Sequence, residues 1–488
     1  MRGSLEPTSC TLDVYMRARA TKSTLRAIAA MACANPFGEE RERLEREVGD
    51  ATRGASRSDV FARSLARASS AVTNWRRSER HSSADHDSYE RAAFYVVFHR
   101  FSAEIDAHIR KQRASEAIVR PDFVPGLLTA FESFGLSDAR AHERIALAFQ
   151  LRRAFVAIDR SVTGASAPTQ HLREALWNNI FTHDLGLYAG TLMGRMEDFS
   201  TILLGPTGTG KGAAASAIGM AGYIPWNAKS GRFDENFAKT FLPLNLSEYS
   251  ANLIESELFG HEKGAFTGAI QRRAGAFERC SAMGSVFLDE IGDLDPTVQV
   301  KLLRVLEARQ FTPVGGAEPS RFSGRIIAAT HRSLESLRTA GRMRHDFYYR
   351  LCSDVIHLPT LRERLDADPA ELTLLVSQLA TRILGVPSHA LAASIEATIA
   401  EKLPRDYAWP GNIRELEQCI RRILLTQRYS GDPLALGWQE AEKKSDGPAA
   451  LVMRAQRLYR ESRNYGAVAR ALGIDRRTAK KYVEAAPM

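Results

Sequence analysis

The stretch 201-TILLGPTGTGKGAAASAIGM-220 decides the fold, because it joins an apolar run, a glycine-rich turn and a helix-forming run. The apolar run 201–204 predicts a buried strand, and the alanine-rich run after Lys211 predicts a helix. A glycine-rich turn at a helix N-terminus lets backbone N–H groups converge on phosphate oxygens, where the helix adds partial positive charge. The Lys211 side chain can reach the β- and γ-phosphates of a nucleotide. The stretch therefore predicts a phosphate-binding loop.

One position of this loop departs from the usual pattern. Gly212 stands where Ser or Thr would supply a hydroxyl to a magnesium ion. The strand–loop–helix context nevertheless favours phosphate binding over a plain glycine-rich turn. The candidate nucleotide-binding residues of the loop are Gly205, Pro206, Thr207, Gly208, Thr209, Gly210, Lys211 and Gly212.

Two adjacent acids end a second apolar run, 285-SVFLDE-290. Asp289 at the end of a buried strand can hold a magnesium ion, partly through water, and Glu290 can orient the attacking water. Adjacent acids at a strand end are often only solvated. Their position about 80 residues after the phosphate loop, in one α/β unit, favours the catalytic interpretation.

Two arginines in 341-GRMRHDFYYRL-351, Arg344 and Arg350, are candidates for a third catalytic part. An arginine that enters a neighbouring subunit's site stabilises charge on the transferring phosphoryl group, and contributes roughly 10³–10⁵ in rate. Arginines on helix surfaces are common, so spacing alone carries this assignment only weakly.

Composition places the chain among ordinary soluble globular proteins, with 44% hydrophobic and 25% charged residues. Its 488 residues leave room for about two to four domains. No run of eighteen apolar residues occurs, so we expect no membrane span. The five cysteines are scattered without a CxxC pair, which predicts small buried residues in a reducing cytoplasm, and neither a disulfide framework nor a zinc site.

Patterning along the chain divides it into four parts. Residues 1–165 have apolar residues at helical spacing and predict a helical domain of unknown type, less ordered around 50–86. Residues 166–429 alternate β-like runs with amphipathic helices, which predicts a parallel sheet covered on both faces. The part 430–449 has glycine, proline and charge and predicts a linker, and 450–488 is helical.

The last part holds most of the positive charge. The whole chain has a net charge of +9, and residues 451–488 contain nine basic and three acidic residues, a net +6. We expect a short helix Ala467–Leu472, a turn at Gly473, and a second helix that begins after Asp475, a good N-cap. This pattern predicts a helix-turn-helix whose second helix fits the DNA major groove, the alternative being a basic hairpin for protein contacts. The candidate DNA-binding residues are Arg476, Arg477, Thr478, Lys480 and Lys481.

A further glycine-flanked segment, 264-GAFTGA-269, fits neither a strand nor a helix interior. Gly264 and Gly268 permit backbone angles that other residues avoid. From its six residues the segment is either a tight turn that buries Phe266 or a loop tip that holds Phe266 out.

Together these features resemble the sigma-54-dependent transcriptional activators, also called bacterial enhancer-binding proteins. The resemblance covers about residues 168–429 as their AAA+ central domain and about 450–486 as their Fis-type helix-turn-helix. Four segments carry it: 255-ESELFGHEKGAFTGA-269, 286-VFLDEIGDL-294, 299-QVKLLRVLE-307 and 409-WPGNIREL-416. It implies a multidomain chain with an α/β P-loop ATPase domain, made of an α/β part at 166–360 and a helical lid at 361–429.

The resemblance implies a role for the glycine-flanked loop. In the family this loop is an insertion that touches sigma-54, and nucleotide state raises or lowers it. Phe266 and Thr267 at its tip would make the contact, and 311-FTPVGG-316 resembles the second substrate-facing loop. The implied sigma-54-binding residues are Gly264, Ala265, Phe266, Thr267, Gly268 and Ala269.

Further roles follow from the resemblance by matching position. The phosphate loop resembles Walker A, the pair Asp289 and Glu290 resembles Walker B, and Arg344 and Arg350 match arginine fingers that act in trans. Asn245 falls where the family has an asparagine that pairs with the Walker B glutamate. Arg414 matches the sensor II arginine of the lid.

Several positions depart from the family pattern. His331 replaces the usual sensor I asparagine, although an imidazole can still hydrogen-bond phosphate or water. Gly212 replaces a usual glutamate, and the residue after Asn245 is Leu where the family has Cys. Residues 1–165 resemble no receiver, GAF or PAS domain.

The function implied by the resemblance is that of an ATPase with ATP and Mg²⁺ as cofactors, in a ring expected to be a hexamer. Such a cytoplasmic protein would bind double-stranded DNA upstream of a promoter and remodel sigma-54 RNA polymerase, without any membrane. One alternative is a DNA-binding regulator whose ATPase domain is a non-hydrolysing assembly scaffold, which His331 favours. Another is an AAA+ remodeller of a different protein substrate, which the helix-turn-helix argues against.

Overall fold

A computed structural model of the chain describes residues 22–51, 54–75, 82–136, 140–431, 455–456, 458–459, 464–472 and 474–484. Contacts divide the chain into two compact units. The first extends to Gln378 and includes 411–414, and the second comprises 379–410 and the residues from Glu415 onward. Within the described ranges, no helix is long and apolar enough to cross a membrane.

The first unit begins with helices only. A helical segment over 22–33 precedes six helices: α1 Glu39–Gly49, α2 Arg57–Trp75, α3 Ser83–Arg100, α4 Ser102–Arg113, α5 Val124–Ser133 and α6 Ala141–Ser161. Helix α2 lies in the stretch expected to be less ordered. It forms because Val60, Ala68 and Val72 recur on one buried face, with Trp75 at its end.

A parallel five-stranded sheet follows, in the order β4–β5–β8–β1–β9. Its strands are β1 Thr201–Leu204, β4 Phe241–Asn245, β5 Ser285–Asp289, β8 Arg325–Thr330 and β9 Asp354–His357. Two short antiparallel pairs join β2 Trp226–Asn227 to β3 Arg232–Phe233 and β6 Gln310–Phe311 to β7 Ser320–Arg321. The apolar runs that the sequence predicts to be strands, 200–205, 240–246, 284–290 and 324–330, form strands, whereas β9, which has four residues like β1, was not predicted. The fold class, helices followed by a parallel α/β domain, is confirmed.

Helices cover the sheet and connect its strands. They are α7 Ala167–Phe181, α8 Lys211–Gly219, α9 Ala251–Phe259, α10 Ala276–Arg279, α11 Pro296–Ala308, α12 Leu334–Thr339 and α13 His345–Leu351. Because every strand of the sheet is parallel, the carboxyl ends of β1, β5 and β8 meet at one edge. The phosphate loop, Asp289 and His331 follow these strands and therefore lie at this edge.

The N-terminal helices and the α/β part share one core. Phe149 of α6 stacks on Phe233, with 4.1 Å between ring centroids, and Phe237 packs in the same cluster. Arg153 of α6 donates to the carbonyl oxygens of Met220 and Gly222, at 2.7 and 2.8 Å. Arg153 of α6 therefore caps the C-terminal end of α8, the helix that begins at the phosphate loop. Residues on both sides of the predicted boundary at 165/166 belong to one compact unit, and that boundary stays a prediction.

The segment 162–170, which contains the predicted boundary at 165/166, is held in place by hydrogen bonds to Glu371. This buried carboxylate accepts hydrogen bonds from the backbone N–H groups of Ala165 and Ser166, at 2.6 and 2.9 Å, and from the Thr169 hydroxyl at 2.8 Å. Arg364 donates to the same carboxylate at 2.6 Å. The range predicted to be a lid, 361–429, contains the helices α14 Leu361–Ala367, α15 Glu371–Leu384, α16 His389–Lys402 and α17 Asn412–Thr426.

Two short helices close the described chain, α18 Tyr465–Leu472 and α19 Arg476–Val483. The Asp475 carboxylate caps α19 by accepting from the backbone N–H groups of Arg477 and Thr478. Ile474, between the helices, packs against a small core around Val468 and Ala479. The predicted linker at 430–449 lies outside the described residues except for its first two positions.

Candidate functional site

The phosphate loop has the backbone that its glycines predict. Gly208 and Gly210 adopt φ angles of 82° and 101°, a region that side chains rarely tolerate. A Cβ atom at Gly208 would lie 2.1 Å from the carbonyl oxygen of Gly411, so only glycine fits there. Gly212 lies in the first turn of α8 with open space around it.

Lys211 lies across the loop and is mostly buried. Its ammonium group donates to the carbonyl oxygens of Gly205 and Pro206, at 2.8 and 3.2 Å. Burial lowers the pKa of Lys211, while the charges of Glu290 and Asp289 act in the opposite direction. The lysine and both acids therefore share one electrostatic environment, as the sequence predicts.

Asp289 and Glu290 lie at the end of β5. Burial raises the pKa of Asp289, and the charge of Glu290 raises it further. Glu290 has a φ angle of 56°, which is uncommon for a residue with a side chain and is typical of strained functional positions. The end of β5 thus presents the half-buried carboxylate of Asp289 and the carboxylate of Glu290, whose backbone has an uncommon conformation.

His331 contacts Glu290 directly. Its Nδ1 atom lies 2.7 Å from Oε2 of Glu290. An ionised carboxylate only accepts hydrogen bonds, so Nδ1 is the donor in this pair. His331 therefore orients the Glu290 carboxylate through its Nδ1 atom.

Asn245 has a different partner from the one expected. Its side chain donates to Glu248 at 2.9 Å and accepts from the backbone N–H of Ser247, which caps the turn Leu246–Glu248. Local side-chain-to-backbone bonds of this kind are typical of asparagine. Asn245 pairs with Asp289 in the register of β4 and β5, but in this structure Glu290 bonds to His331 instead of Asn245.

The two candidate arginine fingers are exposed. Arg344 precedes α13 and forms a two-point ion pair with Asp346, at 3.1 and 2.8 Å. The carbonyl oxygen of Arg350 accepts from the hydroxyl of Ser200, at the amino end of β1. The phosphate loop follows the opposite end of that strand, so Arg350 and the phosphate loop of the same chain lie at opposite ends of β1.

The start of α17 is bonded to the phosphate loop. Asn412 donates to the carbonyl oxygen of Thr207 at 3.0 Å and accepts from the backbone N–H of Leu361 at 2.8 Å. The charge of the adjacent Arg414 adds slightly to the lowering of the pKa of Lys211, and it slightly opposes the raising of the pKa of Asp289. Sequence reasoning singled out Arg414 and missed Asn412, although the asparagine stands in the WPGNIREL segment.

The loop 264–269 is a compact turn with an exposed tip. Gly264 and Gly268 have φ angles of 81° and 101°, and the backbone N–H of Gly264 donates to the carbonyl oxygen of Ala269. Phe266 is 40% exposed and its ring contacts only the edge of His261 among the described aromatic groups, with 4.9 Å between centroids. Of the two alternatives, the structure has the tip that leaves Phe266 accessible.

The second loop packs against the first. Val314 accepts from the backbone N–H of Glu262 and donates to the carbonyl oxygen of Gly260. A Cβ atom at Gly315 would lie 2.7 Å from that of Ala265, so the two loops touch at this glycine. The base of the first loop is braced by Arg272, which pairs with Glu262 and Glu278.

The candidate DNA-binding residues lie on one short helix. Arg476, Arg477, Lys480 and Lys481 of α19 are exposed. Thr478 is half-buried and its hydroxyl donates to Asp475 at 2.5 Å, so it acts in the cap of the helix. The four exposed basic side chains give this helix a concentrated positive charge.

The site fits a nucleotide with its metal ion. The cradle of N–H groups, the lysine and an acid at the strand end supply the ligands that phosphate and Mg²⁺ take. Among the residues described, no group of three or more His, Cys, Asp or Glu side chains could hold a metal ion without further ligands. Asp289 would thus hold Mg²⁺ together with phosphate oxygens and water, as is usual for this ion.

Comparison with protein families gives one matching model. Residues 189–357 match the sigma-54 interaction domain. The matched range contains the phosphate loop, the two acids, both candidate arginine fingers and the exposed loop 264–269.

Curated relatives match over a similar region. The chain is 38% identical over 277 residues to the sigma54-dependent transcriptional activator SfnR of Pseudomonas putida, which covers 54% of this chain and 70% of that protein. It is 41% identical over 259 residues to the DNA-binding transcriptional regulator NtrC of Azospirillum brasilense, covering 53% and 49%. It is 44% identical over 225 residues to the Nif-specific regulatory protein of Azotobacter vinelandii, covering 46% and 39%. The chain thus spans less than two thirds of the length of the latter two relatives.

Solved structures include NtrX from Brucella abortus in complex with ATP. It superposes on this chain with a TM-score of 0.40 at 22% identity, covering 72% of this chain and 74% of that one.

Proposed function

Because the chain belongs to the sigma-54-dependent transcriptional activators, we propose that it hydrolyses ATP to remodel sigma-54 RNA polymerase at promoters. The observation that carries the proposal is the exposed Phe266–Thr267 tip in the same domain as a complete phosphate loop and acid pair. The protein would bind upstream DNA in the cytoplasm and open closed promoter complexes.

The nucleotide site divides its work among named residues. The N–H groups of the phosphate loop and Lys211 hold phosphates, Asp289 holds the metal ion, and Glu290 orients water with His331 as its hydrogen-bond donor. Bound MgATP would supply the γ-phosphoryl group and neutralise part of its charge. Each of these roles depends on the position that the polar group has at the carboxyl edge of the sheet.

A ring of copies would complete the site. Arg350 lies at the amino end of β1, opposite the phosphate loop, and so supports a site closed by a neighbouring copy's arginine. Arg344 and Arg350 are both candidates for that role, and a hexamer is the assembly we propose. The lid residues Asn412 and Arg414 would respond to the nucleotide, since Asn412 contacts the loop directly.

The loops 264–269 and 311–316 would transmit force to the polymerase. Nucleotide chemistry occurs at the end of β5, and β4 beside it leads through α9 to the loop 264–269. The second loop 311–316 supports the first through backbone bonds, so both would move together against sigma-54.

The test measures ATP-dependent open-complex formation by sigma-54 RNA polymerase with the full chain. We expect opening to require ATP and to be lost in Thr267→Ala, while Thr129→Ala behaves as wild type. Thr129 is an exposed helical threonine of the N-terminal part and provides a matched control. Hydrolysis without opening would favour a different protein substrate.

One observation supports a second candidate function. Glu290 is bonded to His331, and the position of His331 usually holds an asparagine in the family. A chain whose Walker B glutamate is held this way could be an assembly scaffold that binds DNA and nucleotide without hydrolysis. The absence of both hydrolysis and opening in the experiment above would favour this scaffold.

DNA binding is proposed from α19. Arg477→Ala should weaken binding to the protein's upstream site, and binding should fall steeply with salt because phosphate contacts release counterions. Gel-shift titrations at two salt concentrations measure both effects. Unchanged affinity in Arg477→Ala would place recognition elsewhere.

A further inference from the structure

A cavity of about 560 Å³ lies where the N-terminal helices meet α7. We call it the helical cavity, and its walls come from α1, α2, α3, α6 and α7. Its volume lies in the range of small-molecule sites.

Flat aromatic side chains dominate the wall of the helical cavity. His99 packs edge-on against Phe61 and Phe98, with 5.0 and 4.9 Å between ring centroids. Phe155 stacks on Phe37 at 5.2 Å across the same space, and Trp177 closes the side formed by α7. Walls of this kind favour a planar apolar group, which can stack or meet ring edges.

His99 adds polarity without charge. Burial, followed by the charges of Arg41 and Arg152, lowers the pKa of His99 well below its usual range. The ring is therefore neutral and has one donor and one acceptor nitrogen. Within the described part of the chain its nitrogens have no hydrogen-bond partner, so they can serve a polar group in the cavity.

Two of the arginines that line the cavity, Arg57 and Arg173, have no carboxylate ion pair among the residues described, although Arg173 donates two hydrogen bonds to the carbonyl oxygen of Val162, at 3.0 and 2.7 Å. Arg41 pairs with Glu45 at 2.5 Å, and Arg152 pairs with Asp106 at 2.5 Å, so these arginines are neutralised. Burial lowers the pKa of Arg173.

Arg57 and Arg173 both line the cavity, and the positive charge of Arg57 adds a small part to the lowering of the pKa of Arg173, which is due first to burial. The guanidinium of Arg57 is exposed and makes only a long contact, 3.4 Å, with the carbonyl oxygen of Pro36. The acids whose charges act on Arg173 are Asp159 and Glu371, and Glu371 pairs with Arg364, so Asp159 is the acid that faces the two arginines at this end of the cavity.

We propose that the helical cavity binds a planar aromatic carboxylate, with its ring among the aromatic side chains and its carboxylate at Arg57 and Arg173. An anion placed between these two arginines relieves their repulsion and gains charge-assisted hydrogen bonds. The site is separate from the nucleotide site and goes beyond the proposed function.

The position of α7 couples the cavity to the ATPase domain. Trp177 and Arg173 face the cavity, and Asn179 two residues later donates to Thr201 at 2.8 Å and to Asp354 at 2.5 Å. These two residues begin β1 and β9, and β1 leads into the phosphate loop. Occupancy of the cavity would therefore alter ATP hydrolysis, an effect that rests on the proposed function.

The binding test uses 2-naphthoate and its neutral counterpart 2-naphthalenemethanol, titrated into the full chain by calorimetry. We expect saturable binding of the acid at one site, and weaker binding of the alcohol. Arg57→Gln should weaken the acid about tenfold and leave the alcohol unchanged, because one charge-assisted bond is lost. Arg57 lies at the rim, so this variant keeps the core intact.

A pair of size-increasing variants locates the site. Ala34→Phe fills the helical cavity and should abolish acid binding, whereas Ala189→Phe, in the wall of a neighbouring cavity, should not. The opposite pattern, or no saturable binding of the acid up to about 10 mM, would overturn the proposal. Equal effects of Arg57→Gln on acid and alcohol would also contradict it.

ATP hydrolysis is measured separately with and without 2-naphthoate. Binding with a change in hydrolytic rate supports both site and coupling. Binding in a chain that hydrolyses no ATP keeps the site and counts against the proposed function alone. Binding with unchanged hydrolysis would overturn the coupling through α7.

Discussion

At the scale of single residues, two glycines of one loop have opposite requirements. Gly208→Ala should lower the free energy of unfolding by about 1–3 kcal/mol and weaken nucleotide binding, since its φ is positive and its Cβ would meet Gly411. Gly212→Ala should stabilise the chain by about 0.5 kcal/mol, because helical space is open there. Urea unfolding and calorimetric titration of an ATP analogue measure both. Similar results for the two variants would mean that the loop relaxes around a side chain.

The contact between His331 and Glu290 defines a second residue-scale prediction. Glu290→Gln should lower the hydrolytic rate at least about 100-fold, because it loses the carboxylate that would orient water. Its nucleotide affinity should stay unchanged. His331→Asn should retain hydrolysis, since asparagine can also donate to Glu290. Steady-state phosphate release measures both rates. An inactive wild type whose hydrolysis is restored in His331→Asn would show that the site is degenerate and would place the scaffold function first.

At the scale of elements, Arg153 joins α6 to the end of the phosphate-loop helix. Arg153→Met keeps the apolar length and removes two hydrogen bonds to the carbonyl oxygens of Met220 and Gly222. We expect the free energy of unfolding to fall by about 2–4 kcal/mol, because buried acceptors lose their charged donor. Chemical denaturation measures the loss.

The matched control lies on the same helix. Arg160 is exposed near the end of α6, so Arg160→Met should change stability by less than about 0.5 kcal/mol. Equal losses in both variants would show that the effect comes from net charge and not from the contact between α6 and α8.

At the scale of the whole molecule, Glu371 connects residues more than two hundred positions apart. Burial alone would raise the pKa of Glu371, but the N–H groups of Ala165 and Ser166, Thr169 and Arg364 lower it to about 2. The folded-state pKa is below the unfolded one, so this stabilisation is complete above about pH 4.5 and is lost as pH falls towards 2.

Glu371→Gln should therefore cost about 3 kcal/mol at pH 7 and flatten the loss of stability between about pH 5 and pH 3. Urea unfolding at a series of pH values measures the slope. Glu401→Gln provides the control, since Glu401 is exposed at the end of α16 and pairs only with Lys402 among the residues described. A variant with the same pH slope as wild type would show that Glu371 gains its stability from packing and not from charge.

The parts of the fold that could be predicted from sequence are those with local signals. The phosphate loop, four of the five strands of the sheet and the cap of α19 each rest on residues within a short window. Strand β9 was missed because Asp354–His357 has mixed polarity, and it forms because β1 offers an open edge beside it. Helix α2 was underestimated because its buried face becomes visible only with its packing partners.

Contiguous residues were enough to predict a phosphate loop, an acid pair, a glycine-flanked Phe-Thr segment and a basic helix. Packing in three dimensions was needed to show that His331 and not Asn245 bonds Glu290, that Arg153 contacts the end of the phosphate-loop helix, and that aromatic side chains of α2, α3, α6 and α7 line a cavity. The physical reason is that periodicity and glycine spacing act within a few residues, whereas these contacts join side chains tens to hundreds of positions apart. Their partners are chosen by packing and by the need to satisfy buried polar groups.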